Sequence, residues 1–140
     1  LDLGTGTGKA ARLVAERFPA ADIMGVDMSP AMVKEGRELL PAELDGRVRF
    51  EVADASALPF AGGAFDLVVL LNMIPFFDEI ARVKAPGGTV AIAHVSGPST
   101  PIWTPPDTLR RKLAEVGFGR FEELAAGAGT AFLARKPPRE

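Results

Sequence analysis

A chain of 140 residues, 47% hydrophobic and 24% charged, carries enough apolar side chain for one core and reads as a single domain over 1–140. Its formal net charge of −2 gives no bulk attraction to nucleic acid or to an anionic membrane, and no apolar run approaches the roughly 20 residues of a membrane span. With no cysteine and one histidine, His94, it is not expected to hold disulfides, a thiolate nucleophile or a metal, and with no visible signal peptide it fits a cytoplasmic setting.

Residues 1–3 read as a buried strand that breaks at once into Gly4, Gly6 and Gly8, where bare backbone lets a ligand come close. Leu1 is not Met and already lies in this strand, so either the chain was cut from something longer or its natural start was lost. A helix over 9–18 follows, with Leu13, Val14 and Phe18 expected on its apolar face. The second strand, 22–27, leads into Ser29-Pro30, an N-cap with proline at the first helical position, and the helix then runs to about residue 40. The third strand is 48–53. The fourth, 65–71, is continuously apolar, which predicts burial on both faces. Helix 77–83 is expected to stop at Pro86-Gly87-Gly88, with strand 89–95 after it. Residues 96–106 read as a loop, where Thr104-Pro105-Pro106-Asp107 predicts a capped start for a helix holding Leu109, Leu113 and Val116. Segments 118–124 and 130–134 close the chain as an antiparallel pair, and 135–139 read as a solvated tail. Strands alternating with helices predict an α/β fold with a parallel sheet.

In an open sheet of this kind, ligands bind outside the carboxyl ends of the strands. Three groups fall there: the glycine loop, Asp27 and Asp54. The spacing Gly4-x-Gly6-x-Gly8 is not the dinucleotide fingerprint, because Lys9 holds the third-glycine position, and it lacks the closing Gly-Lys-Ser/Thr of a P-loop. A carboxylate ending strand two presents two acceptor oxygens to the two donors of a ribose diol. Asp54 would accept from an adenine amino group while the Ala55 N–H meets a ring nitrogen, with Met28 and Leu58 on the two ring faces. Together they describe an adenosine site. Taken singly, each has a plainer reading: a tight turn, a strand-end acid, a turn former.

The successive stretches Leu1-Asp2-Leu3-Gly4-Thr5-Gly6-Thr7-Gly8, Gly25-Val26-Asp27-Met28-Ser29-Pro30-Ala31-Met32, Asp54-Ala55-Ser56-Ala57-Leu58-Pro59-Phe60, Phe65-Asp66-Leu67-Val68-Val69 and Ala81-Arg82-Val83-Lys84-Ala85-Pro86-Gly87-Gly88 resemble the ordered motifs of class I S-adenosylmethionine-dependent methyltransferases. The branch they resemble is the ubiquinone/menaquinone-biosynthesis-type, small-molecule one. The resemblance implies a doubly wound, Rossmann-like methyltransferase sheet of seven strands with the last antiparallel, and S-adenosyl-L-methionine as cofactor. It makes Gly4, Thr5, Gly6 and Gly8 the loop beneath the methionine part, with Asp2 orienting that loop and helping to hold the amino group. Asp27 would bind ribose beside Met28, Asp54 and Ala55 would bind adenine, and Asn72 would contact the amino group or the substrate. Partners would be a small-molecule substrate, with no nucleic acid and no membrane, and the methyl acceptor atom is O, N or C. Two departures stand out. The stretch between Val69 and Arg82 is shorter than the family usually shows, and the N-terminal lid helices that normally precede strand one are missing.

His94, near the end of strand five, is the one candidate catalytic residue, as a general base for a hydroxyl or amine being methylated. The alternative is a buried histidine held by hydrogen bonds. Asn72 is open between a polar contact and capping a strand end, and Phe76, Phe77 and Trp103 between pocket and core. Asp66, at the start of strand four, reads as a turn anchor. Rival functions are a nicotinamide-dependent oxidoreductase, which leaves Asp54 unexplained and finds no Tyr-Lys pair, and a cofactor-binding protein or fragment without catalysis.

Overall fold

Strand β1 (Asp2–Leu3) ends where the glycines that follow leave extended backbone: Gly4, Gly6 and Gly8 have φ of 68°, 55° and 85°. In the computed structural model, residues 1–126 and 128–138 are described, and they divide into two compact units, Leu1–Leu58 and the chain from Pro59 onward. In the first unit β1 runs parallel to β2 (Ile23–Asp27), and β2 parallel to β3 (Val48–Val52). Helix α1 (Lys9–Arg17) follows β1, and α2 (Pro30–Leu39) follows β2. Ser29 caps α2 as its sequence indicates: its hydroxyl accepts from the Met32 N–H at 3.2 Å, with Pro30 at the first helical position.

The face of α1 differs from expectation. Ala11 and Ala15 are fully buried and Val14 partly, whereas Leu13 and Phe18 are exposed. Leu13 lies about 200° round the helix from Ala11, and Phe18 falls beyond the last turn. Two alanines one turn apart let the helix backbone lie close to Ile23, Val48 and Phe50, so the small residues make the seam.

The second unit contains β4 (Phe65–Leu71), α3 (Phe77–Val83), β5 (Lys84–His94), α4 (Pro106–Glu115), β6 (Gly119–Ala126) and β7 (Gly129–Arg135). β4 and β5 are parallel, and β7 runs antiparallel to both β5 and β6. Among the described residues seven strands thus appear, with β7 antiparallel to its neighbours. Only one face of β4 is fully covered: Val68 and Leu70 are buried, while Leu67, Val69 and Leu71 are half-buried. α4 starts at Pro106 as expected but without a side-chain cap, because Pro105 holds the N-cap; Leu109 and Leu113 are buried and Val116 lies just past its end.

β5 begins five residues before the strand that the sequence predicts, and Pro86-Gly87-Gly88 lies inside it rather than ending α3. Its partner explains this. The Gly87 N–H donates to the Lys136 carbonyl (2.8 Å) and the Lys136 N–H to the Gly88 carbonyl (3.0 Å). Lys136 Nζ also donates to the Ala81 carbonyl at 2.8 Å, so the stretch expected to be a solvated tail is tied down at Lys136. Arg139, the end of that stretch, lies outside the described residues.

Lys84 is fully buried, and its Nζ donates to the carbonyls of Phe65 (3.4 Å) and Asp66, where the β4–β5 register shifts. The cation therefore serves backbone acceptors that strand pairing misses. Burial pulls the Lys84 pKa down to about 8 from the ordinary 10.5, against the pull of Asp66. Below pH 8 both folded and unfolded chains carry the proton. Between pH 8 and 10 the unfolded chain keeps it while the folded chain releases it, so stability rises with pH. A neutral amine still donates two hydrogen bonds, and the chain has no Tyr or Cys to confuse this window. Unfolding free energies from denaturant titrations should climb from pH 8 to 10 with a slope below about 1.4 kcal/mol per pH unit. In Lys84→Met the rise should vanish; a flat wild-type profile would count against the assignment.

Candidate cofactor site

Asp2 stands at the base of the glycine loop, buried, with its Oδ2 accepting from the Thr5 hydroxyl at 2.8 Å. The Ala11 backbone N–H, in the first turn of α1, donates to the same carboxyl group. Since Gly8 offers no side-chain cap to α1, Asp2 takes that part. Thr5 is pinned from the other side by its N–H to the Val26 carbonyl (2.8 Å), and the Gly8 N–H closes the turn onto Thr5 (2.9 Å). Burial pushes the Asp2 pKa up to about 6, although the hydrogen bonds from Thr5 and Ala11 pull it down.

Asp27 ends β2 and ties two segments together. Its Oδ2 accepts from the Gly6 N–H at 3.0 Å and its Oδ1 from the Ser29 N–H at 2.9 Å. Each carboxylate oxygen has two lone pairs, so one on each remains for a diol. The glycines divide by what surrounds them. A Cβ at Gly6 would meet nothing within 4 Å, so this face of the loop is open. A Cβ at Gly8 would lie 2.5 Å from Phe50 Cζ, and one at Gly25 would lie 2.6 Å from Thr5 Oγ1. Gly8 and Gly25 therefore serve packing beneath the loop. Phe50 and Gly25 are packing supports of the loop that the sequence reading missed; a glycine inside strand β2 is the signal that marks such a close approach.

The Ala53 N–H donates to the Asp27 carbonyl at 3.1 Å, which brings the third strand's end beside the second's. Asp54 follows. Its Oδ1 accepts from both the Ser56 N–H (2.9 Å) and the Ser56 hydroxyl (2.7 Å), and these bonds hold its carboxyl below the ordinary value. This turn leaves Oδ2 outside it, on an exposed residue. Ala55 is buried, as is Leu58, while Met28 is 68% exposed. The first unit thus gathers Asp2, the glycine loop, Asp27, Met28, Asp54 and Ala55 around its strand ends. A cradle open at Gly6, acceptors left on Asp27 and Asp54, and a carboxyl at Asp2 fit a ligand carrying an ammonium, a diol and an adenine amino group.

Asn72 and His94 belong to the second unit. Asn72 sits just past β4 in the left-handed region (φ 53°); its N–H donates to the Ala93 carbonyl (2.9 Å) and its Oδ1 accepts from the Val95 N–H (3.0 Å). The side chain joins the ends of β4 and β5. His94 shares a face of β5 with Val90 and Ile92 and is 2% exposed, with Nε2 unpartnered. Burial pushes its pKa down, against a backbone hydrogen bond with Ile102. Phe76 is exposed, and Phe77 and Trp103 are half-buried. Asp66 is exposed, and its carbonyl serves Lys84.

The methyltransferase domain family matches residues 1–88. The demethylmenaquinone methyltransferase of Thermus thermophilus is 42% identical over 106 residues, covering 70% of this chain and 47% of that one. The chain spans about half the length of the curated relatives it matches. Among solved structures, an S-adenosylmethionine-dependent methyltransferase from Methanosarcina mazei superposes with a TM-score of 0.76 at 18% identity, over 99% of this chain and 92% of that one. Phosphoethanolamine N-methyltransferase 2 of Haemonchus contortus, in complex with S-adenosyl-L-methionine, gives 0.79 at 21% identity, over 97% and 48%. These likenesses establish the fold as the Rossmann-like methyltransferase α/β fold expected from the sequence. By its match over residues 1–88 the chain belongs to the methyltransferase domain family, and its fold is the one these S-adenosylmethionine-dependent methyltransferases share.

Proposed function

We propose that the first unit holds S-adenosylmethionine and that the protein moves a methyl group to an O, N or C atom of a small-molecule acceptor in a cytoplasmic setting. The observation that carries this reading is Asp27, which fixes Gly6 by hydrogen bond while leaving the other face of Gly6 open. Among the described residues no helix is long and apolar enough to cross a membrane, and no cluster of His, Asp or Glu is spaced for a metal ion.

The cofactor supplies a methyl group already activated on a sulfonium. The chain's residues then bind and align. Asp27 receives the ribose diol, and Asp54 Oδ2 with the Ala55 N–H receives the adenine edge. The exposed Met28 covers one face of the ring. Asp2, when ionised, faces the ammonium of the methionine part and holds it at the loop. Alignment is the main demand of an in-line attack on a good leaving group, and a base is required only when the attacking atom carries a proton. His94 Nε2 is the proton acceptor in the second unit.

The test uses the Asp2 pKa near 6. Ionised Asp2 attracts the ammonium and the protonated form does not, so affinity should fall as pH drops from 7 to 5, approaching about tenfold per unit below pH 6. Calorimetry should show S-adenosylmethionine binding with this profile, NAD not binding, and Asp2→Asn binding weakly at every pH. Preferential NAD binding, or a flat profile in the wild type, would overturn the reading.

A further inference from the structure

Arg12 lies on α1, just behind the glycine loop, and the cofactor reading does not use it. From a half-buried position its guanidinium donates to the Thr7 carbonyl at 2.7 Å. In an unbroken helix that carbonyl would accept from the Ala11 N–H, four residues on. Here α1 starts only after Gly8, whose φ of 85° turns the Thr7–Gly8 peptide out of the helical path. The Ala11 N–H goes to the Asp2 carboxyl instead. Asp2 thus stands in for a helical acceptor, and the carbonyl it displaces needs another donor.

The surroundings leave that part to Arg12. The N–H of the same peptide unit, on Gly8, is spent on the Thr5 carbonyl at 2.9 Å. Helix α2 closes in at Gly36, which is buried: a Cβ there would lie 3.4 Å from both the carbon and the oxygen of the Thr7 carbonyl. Backbone rather than water therefore flanks the carbonyl on that side, and an unpaired carbonyl in such a place is costly.

We propose that Arg12 is a positioning residue for cofactor binding: by holding the Thr7 carbonyl it leaves the Ala11 N–H to the Asp2 carboxylate, which faces the ammonium of the methionine part. The inference rests on the proposed role of Asp2. Without Arg12 the Thr7 carbonyl recaptures the Ala11 N–H, and Asp2 loses a donor that favours its charged form. Among side chains, Asp27 on β2 is the charged one acting on Asp2; it pushes in the same direction, and the Thr5 hydroxyl alone is left to oppose it.

The full chain without cofactor is followed by NMR from pH 5 to 8, reading the Ala11 amide and the Asp2 carboxyl carbon. In the wild type both should titrate together, with a midpoint of about 6. In Arg12→Met the Asp2 midpoint should rise by about one pH unit, and the Ala11 amide should stop following it. Arg12→Lys, which keeps a donor on a long stem, should bring both back toward the wild type. A lost positive charge by itself would raise the midpoint and leave Ala11 following Asp2; that result would overturn the proposal. Calorimetry then reads binding. Arg12→Met should bind S-adenosylmethionine about fivefold more weakly than the wild type at pH 6, and within about twofold of it at pH 8, where Asp2 is ionised in both. An equal loss at both pH values marks a merely structural residue and counts against the proposal. Should Arg12→Met fail to fold, the wild type and Arg12→Lys decide: an Ala11 amide that does not titrate with Asp2 leaves Arg12 nothing to act through. A wild type that does not bind S-adenosylmethionine overturns the cofactor reading, whereas the NMR measurements need no cofactor and test Arg12 by themselves.

Discussion

Asp27→Ala is expected to weaken S-adenosylmethionine binding by about 2–4 kcal/mol, or roughly 30- to 1,000-fold. Two effects add. The acceptors for the ribose diol disappear, and so do the anchors that hold the Gly6 and Ser29 N–H groups at 3.0 and 2.9 Å. The second effect should also appear without ligand, as a stability loss on the order of 1 kcal/mol, because two backbone donors turn to water. Asp27→Asn separates the two effects. Its amide oxygen can keep one anchor, but its NH₂ group faces a backbone donor at the other, so the loop is disturbed while the volume is kept. Calorimetry beside thermal melting reads both quantities. A folded Asp27→Ala protein with wild-type affinity would remove Asp27 from the site.

The parts of this site legible in the sequence are those fixed by local backbone. Positive φ demands glycine, an Asx turn demands Asp54 two residues before Ser56, and a helix start demands Ser29 before Pro30. What escaped reading depends on distant partners. Ala11 and Ala15 outrank Leu13 because of what lies beneath them, Ile23, Val48 and Phe50, and no helical period contains that fact. The early start of β5 depends on Lys136, some fifty residues later, whose backbone continues the pairing through Gly87 and Gly88. Lys84 is hidden in the same way: nothing in its Lys-Ala-Pro-Gly-Gly context marks it as core, yet it is buried against the carbonyls of β4. His94 could be singled out as the lone histidine, but strand alternation alone decides that it faces the same side as Ile92.

Gly6 and Gly8 look alike in the sequence and should respond oppositely when substituted. Both have positive φ, 55° and 85°, so an alanine at either bears left-handed strain of about 1–2 kcal/mol. Beyond that they diverge. A side chain at Gly6 projects into open space, so Gly6→Ala should fold with little further loss. A side chain at Gly8 lands on Phe50 at 2.5 Å, inside the core formed with Ala11, Val33 and Val48, and overpacking there adds about 1–3 kcal/mol. Against a total stability of about 5–15 kcal/mol, that sum should lower the melting temperature of Gly8→Ala well below that of Gly6→Ala. Shortening the obstacle, Gly8→Ala with Phe50→Leu, should recover part of the difference if the clash is the cause. Binding should run the other way. Gly6→Val places a branched side chain where the loop meets its ligand and should abolish S-adenosylmethionine binding in a protein that still melts cooperatively. Normal binding by folded Gly6→Val would show that the open face of Gly6 is not the ligand's side of the loop.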